Sequence, residues 1–434
     1  MQTEADAFLQ RIRAYPDDDS PRLIFADWLE EQEERIPAAA ARARFIRVQI
    51  ALARIEEEIA ADPFRPNPGR GEREETRLAL QAEDRALRDS HGDEWTAPFR
   101  RFAQGPVFHR GFVEEVKVSA RDFLRHADEL FGAGPIRCID LLDIGGNLAA
   151  VLQNSYLSRL NELKIHASYQ GEVLAQAITR AQNLSGLKSL ELSRNRFEDD
   201  AILQLSSSPI LANLEELDLK ENEFGETGAR ALAASPHLGC LRKLELKGNR
   251  LGPGGAEAIA GSERLAELRS LGLARNEIGN ARLRSANRAS ELLRIPVLDL
   301  SENGLNAAML QLILTRPAGA AAPEAVRLTD LTLSNNDLLG NDGARVLARC
   351  PDLARLQVLR LARCDIGDEG ARAIAESPHL NNVVILDLAN NPISDSTLRG
   401  FLGTPHMRSL RELAIPRSGL TADLRRQLFN QYHW

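Results

Sequence analysis

The sequence has few aromatic residues. Phe, Trp and Tyr make up 5% of its 434 residues, against 43% hydrophobic residues in all. A core is therefore available, but it must be built from Leu, Ile, Val and Ala, which suits small regular units better than one large globule. Cysteine is scarce too. Cys138, Cys240, Cys350 and Cys364 include no CxxC pair, so neither a disulfide framework nor a zinc site is expected. No run of about eighteen apolar residues offers a membrane-spanning helix. The acidic start Met1-Gln2-Thr3-Glu4-Ala5-Asp6 has no apolar signal-peptide region, so a soluble, cytoplasmic protein is expected. Excess positive charge is missing as well: the net charge of -8 argues against a nucleic-acid surface. P-loop lysine and G-x-S-x-G motifs do not occur.

What is present is a phrase, L-x-x-L-x-L-x-x-N. It reads Leu187, Leu190, Leu192, Asn195, then Leu214, Leu217, Leu219, Asn222, then Leu241, Leu244, Leu246, Asn249, then Leu268, Leu271, Leu273, Asn276. Ile295, Leu298, Leu300, Asn303 and Leu328, Leu331, Leu333, Asn336 follow. Leu356, Leu359, Leu361 end on Cys364, Val383, Leu386, Leu388 return to Asn391, and Leu410, Leu413, Ile415 end on Ser418. The step is 27 residues from Asn195 to Asn303, 33 to Asn336 through an Ala/Pro/Gly insertion around Pro317–Pro323, 28 to Cys364, then 27 and 27. Weaker copies precede these at Val113/Val116/Val118, Ile136/Ile139/Leu141 and Leu160/Leu163/Ile165, giving about twelve repeats.

The alternating L-x-L puts apolar side chains inward on a short strand. The Asn amide can both donate and accept, so it can satisfy backbone groups in a buried turn, and Cys364 and Ser418 should do this less well. A helical segment follows, as in residues 225–233 and 367–375, where Ala229, Leu232 and Ala233 take the spacing of one buried face. Pro209, Pro236, Pro351, Pro378 and Pro405 then close the helices. Strands stack at about 4.8 Å while helices need roughly 10 Å, so the sheet must bend into a horseshoe with a concave parallel face.

From Val113 to Ser418 these residues resemble the ribonuclease-inhibitor-like subclass of leucine-rich repeats, which implies an α/β leucine-rich-repeat horseshoe solenoid with convex helices. Residues 18–31, DDSPRLIFADWLEE, followed by Arg44-Phe45-Ile46-Arg47-Val48-Gln49, resemble the bacterial repeat-companion domain, which implies a small N-terminal helical domain and carries no established activity. Asp19-Ser20-Pro21 reads as a capped helix start, and Phe45, Ile46, Gln49, Leu52 and Ile55 as one face of a second helix. Asp62–Gly71 reads as a loop, Glu72–Ser90 as a charged helix stopped by His91-Gly92, and Trp95, Phe99, Phe102 and Phe108 as an aromatic cluster. Leu424, Leu428 and Tyr432 mark a C-terminal capping helix. The expected organisation is a helical domain at 1–60, a linker, charged helix and aromatic cap at 61–110, the solenoid at 111–418 and a capping helix at 419–434.

Chemistry is not evident. His237, His379 and His406 all follow a helix-ending Pro, which marks repeat copying rather than a metal or acid–base array. All four cysteines fill repeat positions, and the Gly-rich stretch 252–255 fills an ordinary turn. No enzyme activity, cofactor or metal is expected. The expected concave column is Lys117, Asp140, Lys164, Glu191, Asp218, Glu245, Gly272, Asp299, Thr332, Arg360, Asp387 and Ala414, with Glu216 beside Asp218. Two residues on, Lys220 and Lys247 give way to small residues. The expected function is a protein-interaction scaffold, monomeric when free, that binds another protein through Glu191, Glu216, Asp218, Lys220, Glu245, Lys247, Asp299, Arg360 and Asp387. Two alternatives stand beside it: a stoichiometric enzyme inhibitor, or a GTPase-activating protein using Arg194, Arg275 or Arg363, since the resemblance extends to Ran GTPase activators.

Overall fold

The structure, a computed structural model, describes residues 2–61, 70–280, 289–315, 326–402, 404, 406–415 and 421–432. The insertion around Pro317–Pro323, Pro405, Ser418 and Trp434 lie outside the described residues, as do residues 62–69 of the expected loop. The chain forms two compact units, Met1–Ser168 with Ala181–Leu187, and Tyr169–Arg180 with Lys188–Trp434.

The first unit begins with four helices: α1 (Gln2–Ala14), α2 (Ser20–Glu31), α3 (Ala39–Ala61) and α4 (Arg70–Thr96). Helix α1 was not legible in the sequence. Pro21 does sit in the first turn of α2, but Asp19 makes no capping bond. Its carboxylate turns to Arg54 at 3.0 Å and Arg110 at 3.3 Å, and Asp18 accepts the Ser20 N–H at 2.8 Å instead. Arg70 and Gly71 already belong to α4, and His91-Gly92 does not end it. The helix runs on because the Thr96 hydroxyl donates to the Gly92 carbonyl at 2.7 Å and His91 stacks on Trp95 one turn later.

Four strands follow: β1 (Gln104–His109), β2 (Phe112–Ser119), β3 (Cys138–Leu142) and β4 (Glu162–Ile165), with α5 (Ala120–Ala133) after β2. β2, β3 and β4 pair in parallel, but β1 runs antiparallel to β2, a departure from an all-parallel sheet. The cause is the two-residue turn Arg110-Gly111, with φ of 47° and 89°, which suits a tight hairpin. Gly111 is also a close approach: a Cβ there would lie 2.7 Å from the Ile46 Cα. The expected aromatic cluster divides. Trp95 and Phe108 meet around Phe45, whereas Phe102 stacks on His126 and Phe99 packs against Gly134. A separate apolar cluster joins Ile12, Phe25, Ala26, Leu29, Ile46 and Ile50 to Phe112 of β2. The helices thus share a core with the first strands.

The second unit holds nine parallel strands: β5 (Ser189–Glu191), β6 (Glu216–Asp218), β7 (Lys243–Glu245), β8 (Ser270–Gly272), β9 (Val297–Asp299), β10 (Asp330–Thr332), β11 (Val358–Arg360), β12 (Ile385–Asp387) and β13 (Glu412–Ala414). With β2 to β4 they make twelve repeat strands among the described residues. Each strand of the second unit presents its central Leu inward, buried to within 2%. The expected helices occur at Glu226–Ala234 and Asp368–Ala375; Ala229 and Leu232 are fully buried, and Ala233 only partly. Between β8 and β9 lie short 3₁₀ turns at Ile278–Asn280 and Ser290–Arg294. Helix Ala422–Gln431 buries Leu424 and Leu428, and the buried Tyr432 hydroxyl donates to the Phe401 carbonyl at 2.6 Å.

The asparagine ladder does what the amide chemistry requires. Asn222 Nδ2 donates to the Leu192, Leu219 and Lys220 carbonyls, and its Oδ1 accepts the N–H groups of Asn195 and Phe197. Asn303, Asn336 and Asn391 repeat the pattern. The Cys364 thiol, fully buried, reaches the Leu333 carbonyl at 3.2 Å but has one proton where Asn has two. Burial pushes that thiol up to about 11, against backbone N–H groups of Asn336 and Asn335 that pull it down.

The residue before each ladder position is left-handed. Arg194, Glu221, Gly248, Arg275, Glu302, Asn335, Arg363 and Asn390 all have φ between 52° and 73°. Only one of the eight is glycine. A left-handed L-residue costs about 1–2 kcal/mol, so the ladder hydrogen bonds around it must impose the turn.

Candidate interaction face

Register pairing brings the expected column together in the second unit. Glu191 pairs with Asp218, Asp218 with Glu245, Glu245 with Gly272, and Gly272 with Asp299. Thr332, Arg360, Asp387 and Ala414 continue it. All except the buried Gly272 are half-buried, as side chains lying on a solvent-facing sheet should be.

The acidic members divide by chemistry. Each Asp turns back to its own strand end: Asp218 accepts the Lys220 N–H at 2.8 Å, Asp299 the Ser301 N–H at 2.9 Å, and Asp387 the Ala389 N–H at 2.9 Å. A short carboxylate two residues from a free N–H is built for this turn, so these three have a structural role whatever else they do. Glu is one methylene longer. Among the described residues Glu245 has no ion pair. It leans instead over Gly272, where a Cβ would stand 2.2 Å from Glu245 Oε2. Burial raises the Glu245 pKa; Lys220 and Lys243 oppose the rise, while Asp218 and Asp299 on either side reinforce it.

The basic residues expected to flank this column turn into it or past it. Lys220 Nζ sits 2.7 Å from Asp218 Oδ2, and Lys247 Nζ reaches toward Glu302 at 3.7 Å. Burial lowers the Lys220 pKa, yet Asp218, Glu245 and Glu191 together hold it above its usual value. Glu216 lies at the strand edge, 3.7 Å from Lys243. Arg360 is paired away from the acidic run, with Asp330 at 2.8 Å.

In the first unit the same column alternates in sign. Lys117 pairs in register with Asp140, and Asp140 with Lys164. Lys117 Nζ lies 3.1 Å from Asp140, and Lys164 Nζ lies 2.8 Å from Glu115 and 3.6 Å from Glu162.

The remaining candidates scatter. Arg194, Arg275 and Arg363 are exposed, but they occupy the left-handed turn position of repeats several strands apart. His237, His379 and His406 contribute backbone N–H groups to Ser235, Ser377 and Thr404. No group of three or more His, Cys, Asp or Glu among the described residues is placed to hold a metal, and none of their helices is long and apolar enough to cross a membrane.

Two features escaped the sequence. One is the ion pair of Arg22 with Glu114, in which Arg22 is 0% exposed; nothing in the pattern distinguishes these from surface charges. The other is a second inter-repeat staple. Asp199 Oδ1 accepts the N–H groups of Gly225 and Gly228, and Asn341 Oδ1 those of Gly367 and Gly370. Asp368 and Asp395 accept from Ser394 and Thr421. Here a signal existed: an Asp or Asn recurs 26 residues before the first N–H donor of each staple.

Three stretches, residues 211–233, 237–260 and 355–375, match the model of the family described as "Leucine Rich repeat". No curated protein matches the sequence. Among solved structures the chain is similar to an internalin (inlF) of Listeria monocytogenes, with 16% identity over 71% of this chain and 87% of that one and a TM-score of 0.37. It is also similar to the yeast Rad7 and Elc1 complex, with 13% identity over 80% and 95% and a TM-score of 0.31. The chain carries leucine-rich repeats and folds as an α/β leucine-rich-repeat solenoid.

Proposed function

We propose that this chain is a non-enzymatic scaffold that binds a protein partner through the open sheet face of its second unit. One observation carries the reading: the carboxylates Glu191, Asp218 and Glu245 stand in register on adjacent strands. Like charges directly opposite one another destabilise a sheet. A polar sheet face does not require the arrangement, since Lys117, Asp140 and Lys164 of the first unit alternate in sign. A basic patch on a partner would relieve the repulsion and release Glu245 from its unpaired state, and such complementarity sets association rate and specificity. Asp299 and Asp387 extend the acidic face, and Glu216, Lys220, Lys247 and Arg360 border it.

In this reading residues 1–60 are a repeat-companion domain, 61–110 a linker and cap, 111–418 a ribonuclease-inhibitor-like solenoid and 419–434 a closing helix, in a cytoplasmic bacterial protein. Arg194, Arg275 and Arg363 stand exposed on turns several strands apart, so a GTPase-activating role gains no support from their placement. The test is capture of partners from the native cell by the full chain and by its Glu191→Lys/Asp218→Lys/Glu245→Lys variant, with identification by mass spectrometry. Proteins held by the parent and lost by the variant are expected. An identical set on both would refute the face.

A further inference from the structure

The first unit contains a pocket of about 500 Å³ that the scaffold reading does not use. It is lined by Arg13 of α1, by Phe131, Pro135, Ile136 and Arg137 of the segment from α5 to β3, and by Arg159. The size falls within the range of about 300–1,000 Å³ typical of small-molecule sites, as does the mixture of apolar wall and few polar groups.

Its charge is the unusual part. Three guanidinium groups line it, and only Arg137 has a close carboxylate, Asp17 at 2.7 Å. Arg13 Nη2 donates to a neutral group, the Gly132 carbonyl, at 2.5 Å. Its Nε is buried without a hydrogen-bond partner. Arg159 has no ion pair among the described residues; its guanidinium lies 4.7 Å over the Tyr156 ring and 5.9 Å from that of Phe131. Burial and the charge of Arg159 both lower the Arg13 pKa, with Asp6 opposing them. Two guanidiniums that repel one another beside an apolar wall, one with an unused buried donor, gain from an anion placed between them.

We propose that this pocket binds a small organic anion, its carboxylate or phosphate held by Arg13 and Arg159 and its apolar body against Phe131, Pro135 and Ile136. The planar guanidinium fork matches both headgroups bidentately, and a charge-assisted bond in a partly desolvated pocket is among the stronger polar contacts.

The experiment is calorimetric titration of the full chain with three probes sharing one ring system: 1-naphthyl phosphate, 1-naphthoate and neutral 1-naphthol. The anions should bind at one site per chain, at least about tenfold tighter than naphthol, as expected for a charge-assisted contact. The tighter anion identifies the headgroup. Arg159→Gln, at an exposed residue whose loss leaves the fold intact, should weaken the anions about tenfold and leave naphthol unchanged. Arg13→Gln should do the same, and each anion should raise the melting midpoint of the parent more than that of the Arg159 variant. Equal affinity for naphthol and the anions, absence of anion binding to the parent, or unchanged anion affinity in Arg159→Gln would each overturn the proposal.

Discussion

The two units handle polar side chains in opposite ways. In the first, charges are spent on one another: Lys117 on Asp140, Lys164 on Glu115, and Arg22 on Glu114 in the interior. In the second, buried amides satisfy backbone from repeat to repeat, and the carboxylates of the open face stand in like-sign register with Lys220 drawn onto Asp218 beside them. The first arrangement yields a locally specific structure at a desolvation cost. The second yields a repeatable one, because an amide ladder asks the same of each repeat, and it leaves the face free to carry charge for another purpose.

The largest expected effect tests the first unit. Glu114→Ala strands the Arg22 guanidinium, which is 0% exposed, and removing one partner of a buried pair typically costs about 3–5 kcal/mol. Hydrogen exchange should show the loss confined to amides of the first unit; uniform loss across both units would break the contrast. Next comes the ladder. Asn222→Ala deletes five hydrogen bonds and orphans buried carbonyls and N–H groups, for an expected loss of about 3 kcal/mol in denaturant unfolding. A loss below about 1 kcal/mol would mean that water replaces the amide and that the ladder is not what holds the turn. Cys364→Asn runs the same test in reverse. It restores the second donor to the one described ladder position after Asn195 that lacks an amide, and should stabilise by about 1 kcal/mol.

The smallest effect is a pH dependence on the open face. Because the native pKa of Glu245 is raised, the folded state holds its proton more tightly than the unfolded state does. Stability from this group is therefore present below the unfolded pKa and is lost as pH rises through the native one. Glu245→Gln should raise the melting midpoint by about 1–2 °C at pH 7, the carboxylate being partly solvated, and the gain should vanish below about pH 4, where both states are protonated.

The repeats were legible because each strand and ladder residue answers to a local rule copied many times. Leu217, Leu219 and Asn222 recur in most copies, and the register of the column follows from the copying. Apart from the recurring Asp and Asn staples, what escaped has no copies. β1 rests on one Arg110-Gly111 turn, α1 on an apolar face clustered with Phe112 far away in sequence, and the Arg22–Glu114 pair spans 92 positions. At the candidate face the column was legible but its chemistry was not. Whether a carboxylate turns back to its own strand, as Asp218 does, or lies over a missing side chain, as Glu245 does over Gly272, depends on one methylene and on the neighbouring strand.

The claim that the acidic register is kept for binding at the expense of stability is tested most directly on one variant with two readouts. Glu245→Gln should melt higher than the parent at neutral pH and capture less of the partner the parent retains. A variant that melts lower and captures the partner undiminished would contradict the account.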